Sequence, residues 1–304
     1  MHGAHSPDAD LGADLAVVGA GVIGLSVAWR AAAAGMASVV CDPAPGRGAT
    51  WAAAGMLAPV TEVHYGEEAL LALNLAAARR WASFAAELEA AGGPVGFRRT
   101  GTLLVAADDG DRAFAEALFR FQQELGLEAE WLTASRARAL EPALAPGLRG
   151  GLWAPGDHQV HNRQLVASLL AACEGAGVVV RREPVEEVLT AAGAVAGLRL
   201  ATGAVVSSPA VVVAAGCRSG AFGGVPAGVL PAVRPVKGQI LRLLPTDEGP
   251  RLGRSVRAVV EGASVYLVPR ADGSLVVGAT VEEQGFDTSV TAGAVYELLR
   301  DARR

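Results

Sequence analysis

Three glycines, Gly19, Gly21 and Gly24, stand at the spacing GxGxxG between an apolar run, Asp14-Leu-Ala-Val-Val18, and a helix-like stretch from Val22 to Ala34. A second apolar run, Ala37 to Cys41, ends on Asp42-Pro43, and Gly35 supplies the stop between helix and strand. A strand–helix–strand unit of this length makes its two strands parallel, because the crossover is long and right-handed. The spacing alone is weak in a chain with 38 glycines. Its place between strand and helix, with an acid about 20 residues further on, gives it weight as a dinucleotide fingerprint. Gly19 permits the tight turn, Gly21 lets backbone approach a pyrophosphate, and Gly24 lets helix and strand pack closely. The helix start offers N–H groups and partial positive charge to phosphates. Asp42 is placed to accept hydrogen bonds from a ribose, and its charge disfavours a 2′-phosphate.

The remaining composition bounds the partners. With 304 residues, 51% hydrophobic and 19% charged, the chain reads as a compact soluble α/β protein with ample core. A net charge of -5 provides no basic footprint for nucleic acid. No apolar run reaches the length of a membrane span, so no membrane association is expected. Met1 to Asp10 is polar, lacks a signal-peptide pattern and reads as a disordered leader of a cytoplasmic protein. Cys41, Cys173 and Cys217 are far apart and read as reduced, buried, apolar residues.

Beyond the fingerprint, residues 44 to 60 are loop-like and Glu67 to Ala91 predicts one long helix. Gly96 to Arg99 and Thr102 to Ala106 predict a hairpin, followed by a helix around Asp111 to Leu125. Strands near Leu127 to Trp131 and Gly151 to Ala154 complete a small antiparallel sheet in this reading. A helix over Leu165 to Ala176, a strand over Val178 to Arg182 and a hairpin turning at Thr202-Gly203 come next. Ala210 to Gly216 is a strand of buried type, and Ile240 to Leu244, Ser264 to Val268 and Leu275 to Ala279 are further strands. Thr291 is placed to cap a final helix. The expected fold is a Rossmann-like α/β domain with a parallel sheet, interleaved with an α+β domain whose sheet is mainly antiparallel. The expected borders give 12–93 and 153–225 to the first domain, and 94–152 and 226–304 to the second.

The fingerprint does not separate FAD from NAD. The loop Arg47-Gly-Ala-Thr-Trp-Ala-Ala-Ala-Gly-Met56 would let a flat ring lie close to backbone, and reads equally as a helix start. Together, Gly19 to Gly24, Asp42-Pro43 and Gly48 to Ala58 resemble the D-amino-acid oxidase superfamily, and within it the glycine oxidases of thiamine biosynthesis. Pro235-Val-Lys-Gly-Gln239, Tyr266-Leu-Val-Pro-Arg270, Val276-Val-Gly-Ala-Thr280 and the strand ending at Gly216 extend the likeness from about residue 14 to the last residue.

That resemblance implies non-covalent FAD, since no Cys or His stands at a position matching a covalent link. It implies that Val22 and Ile23 hold the pyrophosphate and that Asp42 and Pro43 hold the ribose. Ala49, Thr50, Ala54, Gly55 and Met56 would line the flavin, and Val185 would touch the adenine through its backbone. Gly216 would end its strand beside the cofactor, and Tyr266 would border the substrate as a positioning group rather than a base. The implied reaction carries a hydride from a small amino acid or amine to the flavin, with oxygen as the final acceptor. It yields glyoxylate, ammonia and hydrogen peroxide, and needs no acid–base pair, so no catalytic side chain is assigned. The family also suggests a homotetramer.

Two departures stand out. Arg218 occupies a position where the family carries an aromatic residue. The family also runs several dozen residues past position 304, through a Gly-rich closing segment and the arginine that pairs with the substrate carboxylate. The rival readings are a sarcosine oxidase or D-amino-acid dehydrogenase of the same superfamily, a non-catalytic FAD-binding fragment, and an NAD-dependent dehydrogenase. Among the other polar residues, Asp157, His158 and His161 form a metal half-site that nothing in the sequence completes, so no metal is expected. His64 and Glu62 are candidates for the pocket wall. Lys237, the one lysine, reads equally as a cavity residue or a solvated one. The pairs Arg79-Arg80, Arg98-Arg99 and Arg181-Arg182 read as solvated faces.

Overall fold

A computed structural model describes residues 11–220, 222–244 and 251–304. The leader Met1 to Asp10 lies outside the described residues. The chain divides into two compact units, one of Met1–Ala53, Ala86–Val95 and Asn162–Pro235, the other of Ala54–Ala85, Gly96–His161 and Val236–Arg304. Where the sequence sets borders after 93, 152 and 225, the units exchange after 95, 161 and 235, and additionally after 53 and 85.

The first unit is built on four parallel strands in the order Val211–Val213, Leu15–Val18, Ser38–Cys41, Val179–Arg181. Leu15–Val18 and Ser38–Cys41 occupy the centre and are buried throughout, as suits mainly apolar strands in a sheet covered on both faces. Between them the helix Val22–Ala33 packs on the helix Asn162–Gly175, with the Cys173 thiol donating to the Leu25 carbonyl at 3.4 Å. Gly35 ends the first helix with φ +88°, a value glycine takes without a Cβ clash. A second sheet in the order Leu11–Gly12, Val205–Ser207, Ala194–Leu200, Val185–Ala191 closes the core of this unit over Ala16, Val39 and Cys41.

The strand Val211–Val213 is half-buried, not fully buried as its composition suggests, because it lies at the edge of the parallel sheet. The strand Val185–Ala191 is absent from the sequence reading; its outward Glu186, Thr190 and Ala191 dilute the apolar signal.

The second unit carries a sheet of seven strands, in the order Ile240–Leu243, Leu275–Gly278, Ala263–Pro269, Ser255–Val260, Thr102–Ala106, Gly150–Ala154, Glu130–Leu132. Every adjacent pair is antiparallel except Ser255–Val260 with Thr102–Ala106, which run parallel. The small sheet expected around residue 100 is therefore one end of a larger one. The hairpin expected at Gly96 to Arg99 does not form. Arg98 instead bridges to Gln159, and its guanidinium reaches the carbonyls of Pro269 and Gly253 at 3.0 and 3.2 Å, so it is half-buried rather than solvated.

The helix Asp109–Glu124 opens on a capping box between Asp108 and Asp111. Ala292–Arg303 opens on Thr291, whose hydroxyl accepts from the Ala294 N–H at 3.3 Å. Glu68–Gly92 is the long helix expected, with residues in both units. No helix among the described residues is long and apolar enough to cross a membrane.

Candidate functional site

In the first unit the parallel strands and the second sheet leave a cleft of about 1170 Å³. It opens where the chain leaves Val18 and turns through Gly19, which has φ +102° and sits so close to Ala214 that a Cβ would overlap its carbonyl oxygen. Gly24 is buried beneath, where a Cβ would overlap the Gly19 carbonyl oxygen. A Cβ at Gly21 would meet only the Thr50 hydroxyl, in a tight contact of 3.3 Å. The three glycines thus divide their roles by what surrounds each one.

The cleft gathers most of the expected cofactor residues: Gly19, Gly21, Val22, Ile23, Asp42, Pro43, Ala49, Thr50, Val185 and Gly216. Ile23 is 65% exposed, a large apolar side chain held at the surface on the first turn of a helix. The N–H groups of Ile23 and Gly24 have no acceptor within that helix, whereas Val22 donates to the Thr50 hydroxyl at 3.2 Å. Asp42 accepts from the Ala20 N–H through one carboxylate oxygen and from the Ala44 N–H through the other, both at 2.7 Å. It ties the fingerprint turn to its own loop, and each oxygen keeps a second lone pair for a ribose hydroxyl. Val185 opens the strand Val185–Ala191.

The loop after Asp42 is held from within the same unit. Its alanines form one helical turn, Ala49–Ala52, as the helix-start reading of this stretch has it. Asn162 donates to the carbonyls of Thr50 and Trp51 at 2.7 and 3.0 Å. The guanidiniums of Arg47, which lines the cleft, and Arg163 each lie 4.1 Å from the Trp51 ring centroid, a cation–π arrangement. Burial, and then the charge of Arg47, lower the basicity of Arg163. Arg218, standing where an aromatic was expected, also lines the cleft.

Cys41 lines the cleft with its thiol pushed up to about 12 by burial, so it is no nucleophile. Cys217 is exposed, contrary to the buried reading, because it falls in the 3-10 turn Gly216–Arg218 beyond the strand end.

Ala54, Gly55 and Met56 fall in the second unit, where Met56–Leu57 pairs with His158–Gln159. There Ala54, Val268 and Val276 form a buried cluster against which Met56, Ile240 and Tyr266 pack. Residues more than 200 positions apart in the chain are thus brought together by packing. Tyr266 lies between Arg257 and Gly278 across neighbouring strands. Its ring covers Gly278 so closely that a Cβ there would overlap the phenol. Burial, then the charge of Glu62, raise the Tyr266 pKa, against smaller opposing effects of Arg257 and Arg242, so the hydroxyl stays protonated. Glu62 pairs with Arg257, while His64 is exposed.

The Lys237 side chain is 8% exposed, with its amine 3.6 and 3.7 Å from Glu282 and Asp287, so it is not the solvated lysine of one of its two readings.

Asp157 is fully buried and accepts from the N–H groups of Val60 and Thr61 and from the Thr61 hydroxyl, at 2.7–3.0 Å. Both of its oxygens are engaged by this loop, and no cluster of three or more metal-ligating side chains occurs among the described residues. Burial pushes its pKa up to about 6, against those hydrogen bonds. A folded-state pKa above the unfolded value means the folded protein binds the extra proton between about pH 4 and 6. Ionised Asp157 therefore costs up to about 3 kcal/mol at neutral pH, a cost removed as pH falls through 6. The parent chain should gain stability relative to Asp157→Asn between pH 7 and 4.5. Urea midpoints of both proteins across that range test this, and parallel curves would refute it.

Taken by their chemistry, the residues of the cleft suit the ADP half of a dinucleotide. Donors converge at a helix start, a small-residue turn permits close approach, and an acid stands at the ribose position.

Comparison with known proteins agrees. Residues 14–304 match the family model described as FAD dependent oxidoreductase (DAO). The bifunctional protein ThiO/ThiG of Trichormus variabilis is 32% identical over 295 residues, covering 96% of this chain and 43% of the relative. The chain therefore spans less than half the length of that relative. The glycine oxidase of Geobacillus kaustophilus is 31% identical over 293 residues, covering 95% of this chain and 75% of the relative. The crystal structure of that glycine oxidase superposes with a TM-score of 0.85 at 29% identity, covering 96% of this chain and 77% of the other. With the fingerprint cleft and the match from residue 14 to residue 304 in agreement, the chain belongs to the DAO family of FAD-dependent oxidoreductases.

Proposed function

We propose that this protein oxidises glycine and similar small amines with non-covalently bound FAD. The products would be an imine that hydrolyses to glyoxylate and ammonia, and hydrogen peroxide, and the pathway served would be assembly of the thiamine thiazole. The observation that carries the reading is the packing of Tyr266 against Ala54 and Met56, which sets a substrate-side phenol beside the loop expected to line the flavin. In this reading the cleft of the first unit holds the ADP half of the cofactor.

FAD, when bound, supplies the hydride acceptor and passes the electrons to oxygen. The chain's own residues supply position. Val22, Ile23 and the turn at Gly21 receive the pyrophosphate, and Asp42 receives the ribose. Tyr266, neutral because burial and Glu62 oppose its ionisation, offers a hydroxyl donor to the substrate carboxylate. Val268, Val276, Ile240 and Met56 make the ground beneath it apolar, which disfavours an ammonium and favours the neutral amine that releases hydride.

The test is the visible spectrum of the purified chain after incubation with FAD and desalting, and again after anaerobic glycine. A flavin spectrum that survives desalting, bleaches with glycine and is released by acid precipitation is the expected result. Bleaching by sarcosine or a D-amino acid but not by glycine would move the assignment within the superfamily. Retained flavin that no small amine bleaches would refute the oxidase reading for this chain.

A further inference from the structure

Arg270 follows directly on the strand that carries Tyr266 and is 5% exposed. Its guanidinium donates to the Ala54 carbonyl at 2.6 Å, to the Val160 carbonyl at 2.9 Å and to Gln159 Oε1 at 3.3 Å. The Val160 N–H in turn donates to the Gly55 carbonyl at 2.8 Å. Two successive carbonyls of the loop, those of Ala54 and Gly55, are thereby each tied to a partner. Both peptides are trans, for the one cis bond among the described residues lies at Gly278-Ala279. In a planar trans peptide the N–H points opposite to the C=O, so the Gly55 N–H is directed away from Arg270 and the Met56 N–H away from Val160. Gly55 has φ +70°, a conformation that suits glycine and completes the turn.

The same strand reaches this loop at three successive alternate positions. Tyr266 and Val268 pack with Ala54 and Met56, and Arg270 bonds to the Ala54 carbonyl. One rigid segment therefore sets both the phenol and the orientation of the loop peptides.

We propose that Arg270 is a positioning residue for the oxidation. It fixes the Ala54–Met56 peptides so that the Gly55 and Met56 N–H groups are presented to the flavin ring, at a depth set by the strand that bears Tyr266. The inference rests on the reading of this loop as flavin-lining given above. An arginine suits the task because its planar fork reaches several acceptors at once, whereas a lysine ammonium has one centre. Donors aimed at the ring would stabilise the negative charge it gains on reduction.

The experiment compares the parent chain with Arg270→Gln and Arg270→Lys, each loaded with FAD. Arg270→Gln should slow anaerobic bleaching by glycine about a hundredfold, as expected of a misplacement near 1 Å at the reacting centre. Its bound flavin should have a lower reduction potential, while FAD retention falls by less than about threefold because the ADP half is held elsewhere. Arg270→Lys, which can still reach the Ala54 carbonyl, should fall between the two, and it carries the test if the glutamine variant does not fold. Variants that melt earlier yet hold a flavin with parental potential and bleaching rate would show a purely structural arginine and overturn the proposal. Failure of the parent chain to hold flavin would instead overturn the oxidase reading, and this inference with it.

Discussion

Gly24→Ala is expected to abolish flavin retention and to cost the apoprotein at least about 3 kcal/mol, the upper range for an overpacked interior. The new Cβ would overlap the Gly19 carbonyl oxygen and lie 3.2 Å from Val17 Cγ1, groups fixed by the central strand. Neither can yield without moving the fingerprint turn. Gly21→Ala provides the contrast. Its Cβ meets only the Thr50 hydroxyl, and its φ of -78° suits any residue, so the apoprotein should melt as the parent does. The methyl would nonetheless stand where a pyrophosphate must approach backbone, and retention should fall about a hundredfold, equivalent to roughly 3 kcal/mol. Thermal melts of both apoproteins and equilibrium dialysis against FAD separate the two effects. Parental FAD affinity in Gly21→Ala would show that the cofactor does not lie in this cleft.

Gly278→Ala should lower kcat/KM for glycine by ten- to a hundredfold with FAD affinity unchanged, on the scale of a displaced positioning group. The added methyl would overlap the Tyr266 phenol and approach Ile240 Cγ2 at 2.7 Å, so the ring must leave its place. Tyr266→Phe, which keeps the ring and removes the hydroxyl, isolates the donor and should lose less than Gly278→Ala if both ring and donor contribute. Steady-state peroxide production by the three proteins measures this. Parental kinetics in Gly278→Ala would remove Tyr266 from the substrate site.

What the sequence makes legible is whatever rests on local order. The fingerprint, its crossover helix, the stop at Gly35, the turn at Thr202-Gly203 and the cap at Thr291 each depend on residues a few positions apart, and each is found where expected. Ser255–Val260 escaped because Arg257 interrupts its apolar run and one of its pairing partners, Thr102–Ala106, lies some 150 residues earlier.

The cleft was readable in part for the same reason, as the strand–helix–strand unit and the loop after it supply about half of its wall, while the rest comes from residues 184–186 and 213–223. The surroundings of Tyr266 were less so. Tyr266 came from the family resemblance, and nothing local announces that Gly278 lies beneath its ring. Arg270, within a recognised motif, carries no mark in sequence that it is buried against backbone carbonyls, because arginine composition reads as surface. Asp157 stands out in sequence only as part of a metal half-site that nothing completes, and no local signal announces that its oxygens bind the Val60–Thr61 segment.

The parallel pairing of Thr102–Ala106 with Ser255–Val260 also governs how this chain can be made. During synthesis Thr102–Ala106, with Leu103, Leu104 and Val105, is complete long before the strand that covers its second edge has been translated. Over that interval an apolar strand can pair only with Gly150–Ala154 on one side, and its other edge is a template for any neighbouring nascent chain. Contacts of such long sequence separation form slowly, because the intervening loop must be ordered before the pairing repays it. Shielding of that edge during synthesis is thus a condition on folding that is separate from the finished molecule's stability.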